Sequence, residues 1–347
     1  MSCGKVVPGI EFVNALLYYM TMSCSRFFQM VSLIDQDFQS EEMNQIVNSF
    51  LDKASYSSKW MLYSDYCLDD VSKPNDVISF ALLPFSSAER YKELDVKIKE
   101  TQPKDIKHSQ RISEEYISYI KEQPIFSFSF LVNNRKQFFG DNGAERVDTV
   151  LSILNQIKQN FETWVKNPDN EQVKDYYEES INKLNRQIKE ISQRKNVKNH
   201  IDIILITVLA AHYTANILRD LPELEVFGWF PDRDSTNEAC DQIALPIFNV
   251  VQYNMLNGKQ YLLAGSVPDS TKVPFYDNEN RIVDIICGTL ADYNQKENLV
   301  SKDKFSEVLQ SLIADNPFIK IYRLFFDEEN THLGQIFISS TPIKEGE

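Results

Sequence analysis

The sequence predicts an α/β protein built on one mixed sheet, and three observations lead there. Three strand-like segments, 58–65, 75–85 and 124–134, come in the first half. The second half then alternates helix and strand. The composition is that of a packed chain: of 347 residues 43% are hydrophobic and 12% aromatic, and 10 glycines and 13 prolines are too few for long linkers or low-complexity tracts. Early strands that follow one another pair antiparallel, while strands separated by helical crossovers pair parallel.

Taken in order, 9–34 and 40–53 read as N-terminal helices; Ser40 and Glu42 in "SEEMNQIVNSFLDKA" suit a helix start. The segment 58–65 is apolar and pleat-compatible, with Trp60, Leu62 and Tyr63. "NDVISFALLPF" follows after the polar loop "CLDDVSKP". A charged helical stretch, 87–122, precedes "PIFSFSFLVNN", where aromatic residues and serines alternate at strand period. Residues 143–197 form a helical hairpin broken at Asn167-Pro168-Asp169.

"HIDIILITVLAAHYTANILRDLP" is a buried helix stopped by Pro222, and "ELEVFGWFPD" is a strand ending in acid. "STNEACDQIALPIFNVVQY" is a helix capped near Ser235 or Thr236, followed by the strand "KQYLLAGS" and the helix "NENRIVDIICGTLADYN". A last helix at 303–314 and two strands, "FIKIYRLFF" and "LGQIFISS", finish the chain. The domain reading is N-terminal helices over 1–56, a core over 57–295 with the 143–197 insertion, and a C-terminal helix and strand pair over 296–347.

A formal charge of −14 gives an average surface that repels phosphate, so nucleic acid is not the default partner; a local basic patch or a bound divalent cation reverses that mean. One such patch is "NRQIKEISQRKNVKNH", with Arg186, Lys189, Arg194, Lys195 and Lys198 able to guide a phosphate backbone. Its plainer reading is a solvated helix face. The motifs GxxxxGK, GxGxxG and GxSxG do not occur, which leaves nucleotide-loop and nucleophile-elbow chemistry without support.

The five cysteines lack zinc spacing and read as reduced thiols of a cytoplasmic protein. Glu11, Asn14 and Arg26 interrupt the most apolar early stretch, so no membrane span or signal peptide is expected. His212 reads as a core histidine, and His200 and His108 as exposed.

The element order gives certain acids meaning. Asp65 ends the first strand, Asp232 and Asp234 follow the strand after the long helix, and Asp284 stands among Ile282, Val283, Ile285 and Ile286. A carboxylate in an apolar setting needs a partner or a task. Asp69 and Asp70 suit turn chemistry, with Asp70 a weaker fourth candidate ligand.

With "LYSDYCLDD", "VFGWFPDRDS" and "RIVDIICGT" in this order, and with the lysine-rich "KIKETQPKDIKHS" between the second and third strands, the chain resembles the ribonuclease H-like superfamily. The nearest likeness is to an uncharacterised bacterial branch with a "YIDESG" first strand and a "LQLADLIAG" last helix. The resemblance covers roughly residues 58–293 and implies three antiparallel strands, then parallel strands with helical crossovers. It further implies metal-dependent phosphodiester hydrolysis in a defence or mobile-element setting. Asp65, Asp232 and Asp284 would be catalytic, and Asp65, Asp70, Asp232, Asp234 and Asp284 would be ligands to Mg²⁺ or Mn²⁺, hard cations that demand oxygen donors. The alternative is a catalytically degenerate interaction module of the same fold, binding protein through its helical insertion or nucleic acid without cleavage. Oligomeric state is not legible.

Overall fold

A computed structural model describes residues 25–104, 106–232, 239–265, 274–327 and 330–340. Helices α1 (Ser25–Phe38) and α2 (Glu41–Lys53) lead in, the second capped by the Ser40 hydroxyl, which accepts from the Met43 amide. Strand β1 (Lys59–Cys67) and strand β2 (Val77–Pro84) form an antiparallel pair. Helices α3 (Ala88–Thr101) and α4 (Glu114–Glu122) follow, then β3 (Phe126–Leu131), antiparallel to β2. The helical hairpin is α5 (Gly143–Trp164) and α6 (Glu171–Arg194), and α7 (Lys198–Leu218) is the long core helix.

Strand β4 (Val226–Pro231) pairs parallel with β1, and β5 (Leu262–Gly265) pairs parallel with β4, with α8 (Ala244–Met255) between them in sequence. Helix α9 (Asp277–Asp292) leads into a small hairpin of β6 (Tyr293–Asn294) and β7 (Leu299–Val300). After α10 (Asp303–Glu307) and a π-helical turn (Val308–Ile313), β8 (Ile319–Phe326) and β9 (Thr331–Gln335) close the described chain.

The result is α/β with a mixed seven-stranded sheet in the order β5-β4-β1-β2-β3-β8-β9. The final strands extend this sheet past β3, β8 running parallel to β3 and β9 antiparallel to β8. Period-2 alternation sorts β1 between two cores. Trp60, Leu62 and Tyr66 face a layer that includes α1, α2 and α5 to α8, whereas Tyr63, and beside it Met61 and Cys67, face α3, α4 and α9. On the first face Phe80, Phe128 and Tyr213 stack at centroid distances of 4.9 and 4.7 Å, each contact worth on the order of 1 kcal/mol beyond its area.

Helix α7 is long and apolar enough to cross a membrane by length and composition, but its apolar window is wholly buried inside the protein. It therefore carries no helical-face pattern: a helix enclosed on all sides is apolar all round.

Several boundaries differ from expectation. β1 continues two residues past Asp65, because the ladder with β2 persists to Cys67↔Val77. Helix α1 runs to Phe38, and the expected helical residues 9–24 lie outside those described. Helix α8 begins at Ala244, after a short 3-10 turn at Cys240–Gln242 with left-handed Asp241; its expected cap at Ser235 or Thr236 is outside the described residues. The last strand lies at 331–335, since its hydrogen-bond register with β8 starts at Phe326↔Thr331.

Candidate active site

The register of β1 against β4 creates the site. The last parallel pair is Ser64↔Pro231, and the Asp232 amide then donates to the Ser64 carbonyl at 2.8 Å. Asp65 and Asp232 are thus the next residues on neighbouring strands, whose separation is about 4.8 Å. Parity puts both on the α9 side of the sheet, Asp65 with Tyr63 and Asp232 with Phe230, both rings belonging to that core. Across the other edge of β1, Asp65 is paired with the small residue Ser79.

A second carboxylate so placed disfavours ionisation of Asp65. Burial, and next the charge of Asp232, push Asp65 up to about 7. Three groups oppose this: the ammonium of Lys107, the Cys287 thiol, which donates to the carboxylate, and the Tyr66 amide. Lys107 lies in the 3-10 turn Ile106–His108, inside the lysine-rich segment noted in the sequence. Its own backbone segment is fixed from below by Lys304, whose Nζ donates to the Ile106 carbonyl at 2.6 Å.

Helix α9 contributes Cys287, fully buried, and Asp284 one turn earlier at i−3. Burial and then the charge of Asp65 raise the Cys287 thiol well above its ordinary range, with Cys67 and Asp284 adding to the effect. Asp284 also adds, after burial, to the upward push on the enclosed Tyr116 hydroxyl. Asp65 and Asp232 therefore form a pair, with the Cys287 thiol on Asp65, while Asp284 acts on that thiol only through its charge. Among the described residues no three His, Cys, Asp or Glu side chains are grouped so as to hold a metal ion. Asp234 lies outside the described residues.

The other acids of the opening cluster do different work. Asp70 is exposed, and its Oδ1 accepts from the Ser72 amide at 2.9 Å and the Ser72 hydroxyl at 2.7 Å, bonds that lower its pKa. It closes its own loop. Asp69, in the left-handed region at φ 59, binds the Arg135 guanidinium and Lys198, and Arg135 first of all holds its carboxyl down at about 2. Arg135 is buried and joins Asp69, Asp76 and Asp202 at 3.0, 2.8 and 2.6 Å. This knot ties the loop after β1 to the start of β2 and the first turn of α7, so it fixes the strand end beside the site.

The basic run sits on exposed parts of α6 and the start of α7, and three of its five cations are paired. Arg186 meets Asp241 at 3.0 Å, Arg194 meets Glu190 at 2.8 Å and Lys198 meets Asp69 at 3.1 Å. Lys189 and Lys195 are exposed. His200, expected at the surface, is buried, with Nε2 2.9 Å from Gln187 Oε1; the turn from α6 into α7 folds it inward. His212 is enclosed as expected, facing Asp35 at 3.4 Å.

Cys287 and Tyr116 escaped the sequence reading. The i, i+3 spacing of Asp284 and Cys287 was the available signal for the first; nothing local marks Tyr116. The chain matches no protein-family model, no curated protein and no solved structure.

Proposed function

We propose that this chain is a cytoplasmic, ribonuclease H-like hydrolase of nucleic-acid phosphodiesters that uses Mg²⁺ or Mn²⁺. The observation carrying the reading is the Asp65–Asp232 pair on adjacent parallel strands, with Asp65 raised to about 7. A like-charge pair at neighbouring strand ends is the arrangement a divalent cation relieves. The strand order β3-β2-β1-β4-β5, with the first three antiparallel and the last two parallel to β1, supports it. So does α9, the helix after the fifth strand, packed over β1 with Cys287 on Asp65. The described cysteines, Cys67, Cys240 and Cys287, are free thiols, in keeping with a reducing compartment.

The residues fit one hard cation held by two carboxylates. Mg²⁺ commonly takes one or two carboxylates and completes its shell with water and substrate phosphate. Asp65 and Asp232 would hold it, and when bound it supplies charge stabilisation for a phosphoryl oxygen and acidifies water. The chain's own groups do the rest. Cys287 fixes the Asp65 carboxylate by donating to it. Lys107 brings positive charge to Asp65 and attracts a phosphodiester that the overall −14 would repel. With a cation held, Asp65 would stay ionised, since the bound charge relieves the repulsion that raises it.

The second reading, an interaction module without cleavage, is favoured by one observation: the described acids meet as a pair beside a lysine, with no third ligand grouped with them. One experiment separates the two. Purified protein is incubated with single-stranded, double-stranded and hybrid substrates with Mg²⁺, Mn²⁺ or EDTA, beside calorimetric Mg²⁺ titration of wild type, Asp65→Asn and Asp232→Asn. Metal-dependent products and a heat signal, both lost in the variants, support the hydrolase. Absence of products on every substrate, with no metal heat, replaces it with the interaction module.

A further inference from the structure

A recess opens at the other end of β1, away from the acids. It is a cavity of about 280 Å³ bounded by the ends of β1 and β2, the C-terminus of α2 and the first turns of α3. Met61, Leu83 and Leu94 make its apolar floor, and Phe85 and Tyr91 supply rings 5.8 Å apart at an interplanar angle of 49°. Phe275, 62% exposed, continues this aromatic wall outward at 6.4 Å from Tyr91, whose hydroxyl donates to the Phe275 carbonyl at 3.3 Å.

Two cations line the same recess and converge on one residue. Lys53 Nζ donates to the Gln123 carbonyl at 3.0 Å, and Arg90 Nη2 donates to Gln123 Oε1 at 2.9 Å. Arg90 also meets Glu93 at 3.1 Å, and Glu122 is the acid acting on Lys53. A guanidinium offers five donors and an ammonium three, so each cation keeps donors beyond these bonds.

Rings and apolar side chains below, with two cations beside them, suit a ligand with a planar body and a doubly charged anionic group. The size is at the small end of ligand pockets, right for one nucleotide and too small for an oligonucleotide. We propose that this recess binds a nucleoside monophosphate, its base against Phe85 and Tyr91 and its phosphate between Lys53 and Arg90. Base–aromatic stacking and charge-assisted phosphate bonds are the two recognition terms. The site does not depend on the acids of β1 and β4, and it holds whether or not the chain cleaves nucleic acid.

The test is calorimetric titration of the full chain with AMP in EDTA at 150 mM salt, with adenosine in parallel. Wild type should give saturable one-to-one binding tighter than about 1 mM. Adenosine, lacking the phosphate, should bind roughly tenfold or more weakly, and Arg90→Glu and Lys53→Glu should each weaken AMP by a similar factor. Both side chains are exposed, so the variants retain the fold, checked by far-UV circular dichroism. Asp65→Asn should bind AMP as wild type does. No saturable AMP binding, equal binding of adenosine, or unchanged AMP affinity in Arg90→Glu and Lys53→Glu would each overturn the proposal. So would loss of binding in Asp65→Asn alone, which puts the nucleotide at the acids instead.

Discussion

Replacing Asp65 by asparagine should make the folded chain more stable at pH 8, by on the order of 2 kcal/mol. Burial and the neighbouring Asp232 raise the folded-state value of Asp65 to about 7, against about 4 in an unfolded chain. An acid raised in this way has its full stability below about pH 4, and that stability is lost as pH rises through about 7. At roughly 1.4 kcal/mol per pH unit, the ceiling is about 4 kcal/mol. Water reaching the half-buried carboxylate reduces this to about half. Asparagine keeps an oxygen that can accept from Cys287 and removes the charge.

The assay is urea unfolding of both proteins at pH 5 and pH 8 in EDTA. The variant should lead by about 0.7 kcal/mol at pH 5 and by the full ~2 kcal/mol at pH 8. Added Mg²⁺ should then stabilise wild type at pH 8 and leave the variant unmoved. If Asp65→Asn is the less stable protein at pH 8, or the difference does not change with pH, the carboxylates do not repel each other and the argument from register is wrong.

The remaining expectations follow from other parts of the fold. Asp232→Asn should lower the midpoint of Asp65, read from its side-chain carboxyl carbon by NMR, since it removes the largest charge acting on that group. Arg135→Met should cost about 3–5 kcal/mol by leaving buried Asp202 unpaired. Thermal unfolding would register this as a fall of roughly 4–7 °C, and Arg135→Met combined with Asp202→Leu should recover much of it.

Glu279 is fully buried, and burial raises it to about 7 against the opposing pull of its contact with Tyr91 and of Arg281. Its cost to the fold grows as pH climbs from about 4.5 through 7, so Glu279→Gln should stabilise the chain at pH 8 and change little at pH 5. Gly140→Ala should cost about 1–3 kcal/mol in urea unfolding, because φ is +137° and the new Cβ would lie 2.6 Å from that of Glu145.

Elements whose information is local were readable in the chain. The turn at Asn167-Pro168-Asp169 divides the helical hairpin, and α7 follows from an unbroken apolar run. The serine–aromatic alternation of β3 gives a strand, and the three early strands pair antiparallel as their order requires. Local signals failed where partners from elsewhere decide. Asp70 looked like a possible ligand, yet Ser72 claims its carboxylate. His200 looked exposed among lysines, yet the entry into α7 buries it against Gln187. The basic run looked like a patch, yet Asp241 and Asp69, distant in sequence, neutralise two of its members.

The same division holds at the acids. By itself the sequence determined the α/β class, the order of strands and helices, and which carboxylates stand in apolar surroundings, because propensity and periodicity act over a few residues. Only the tertiary structure decided that Asp65 and Asp232 meet and that Lys107 and Cys287 attend Asp65. Strand register and helix packing set those distances. They depend on every side chain between the sheet and α9, and no short stretch of sequence encodes them.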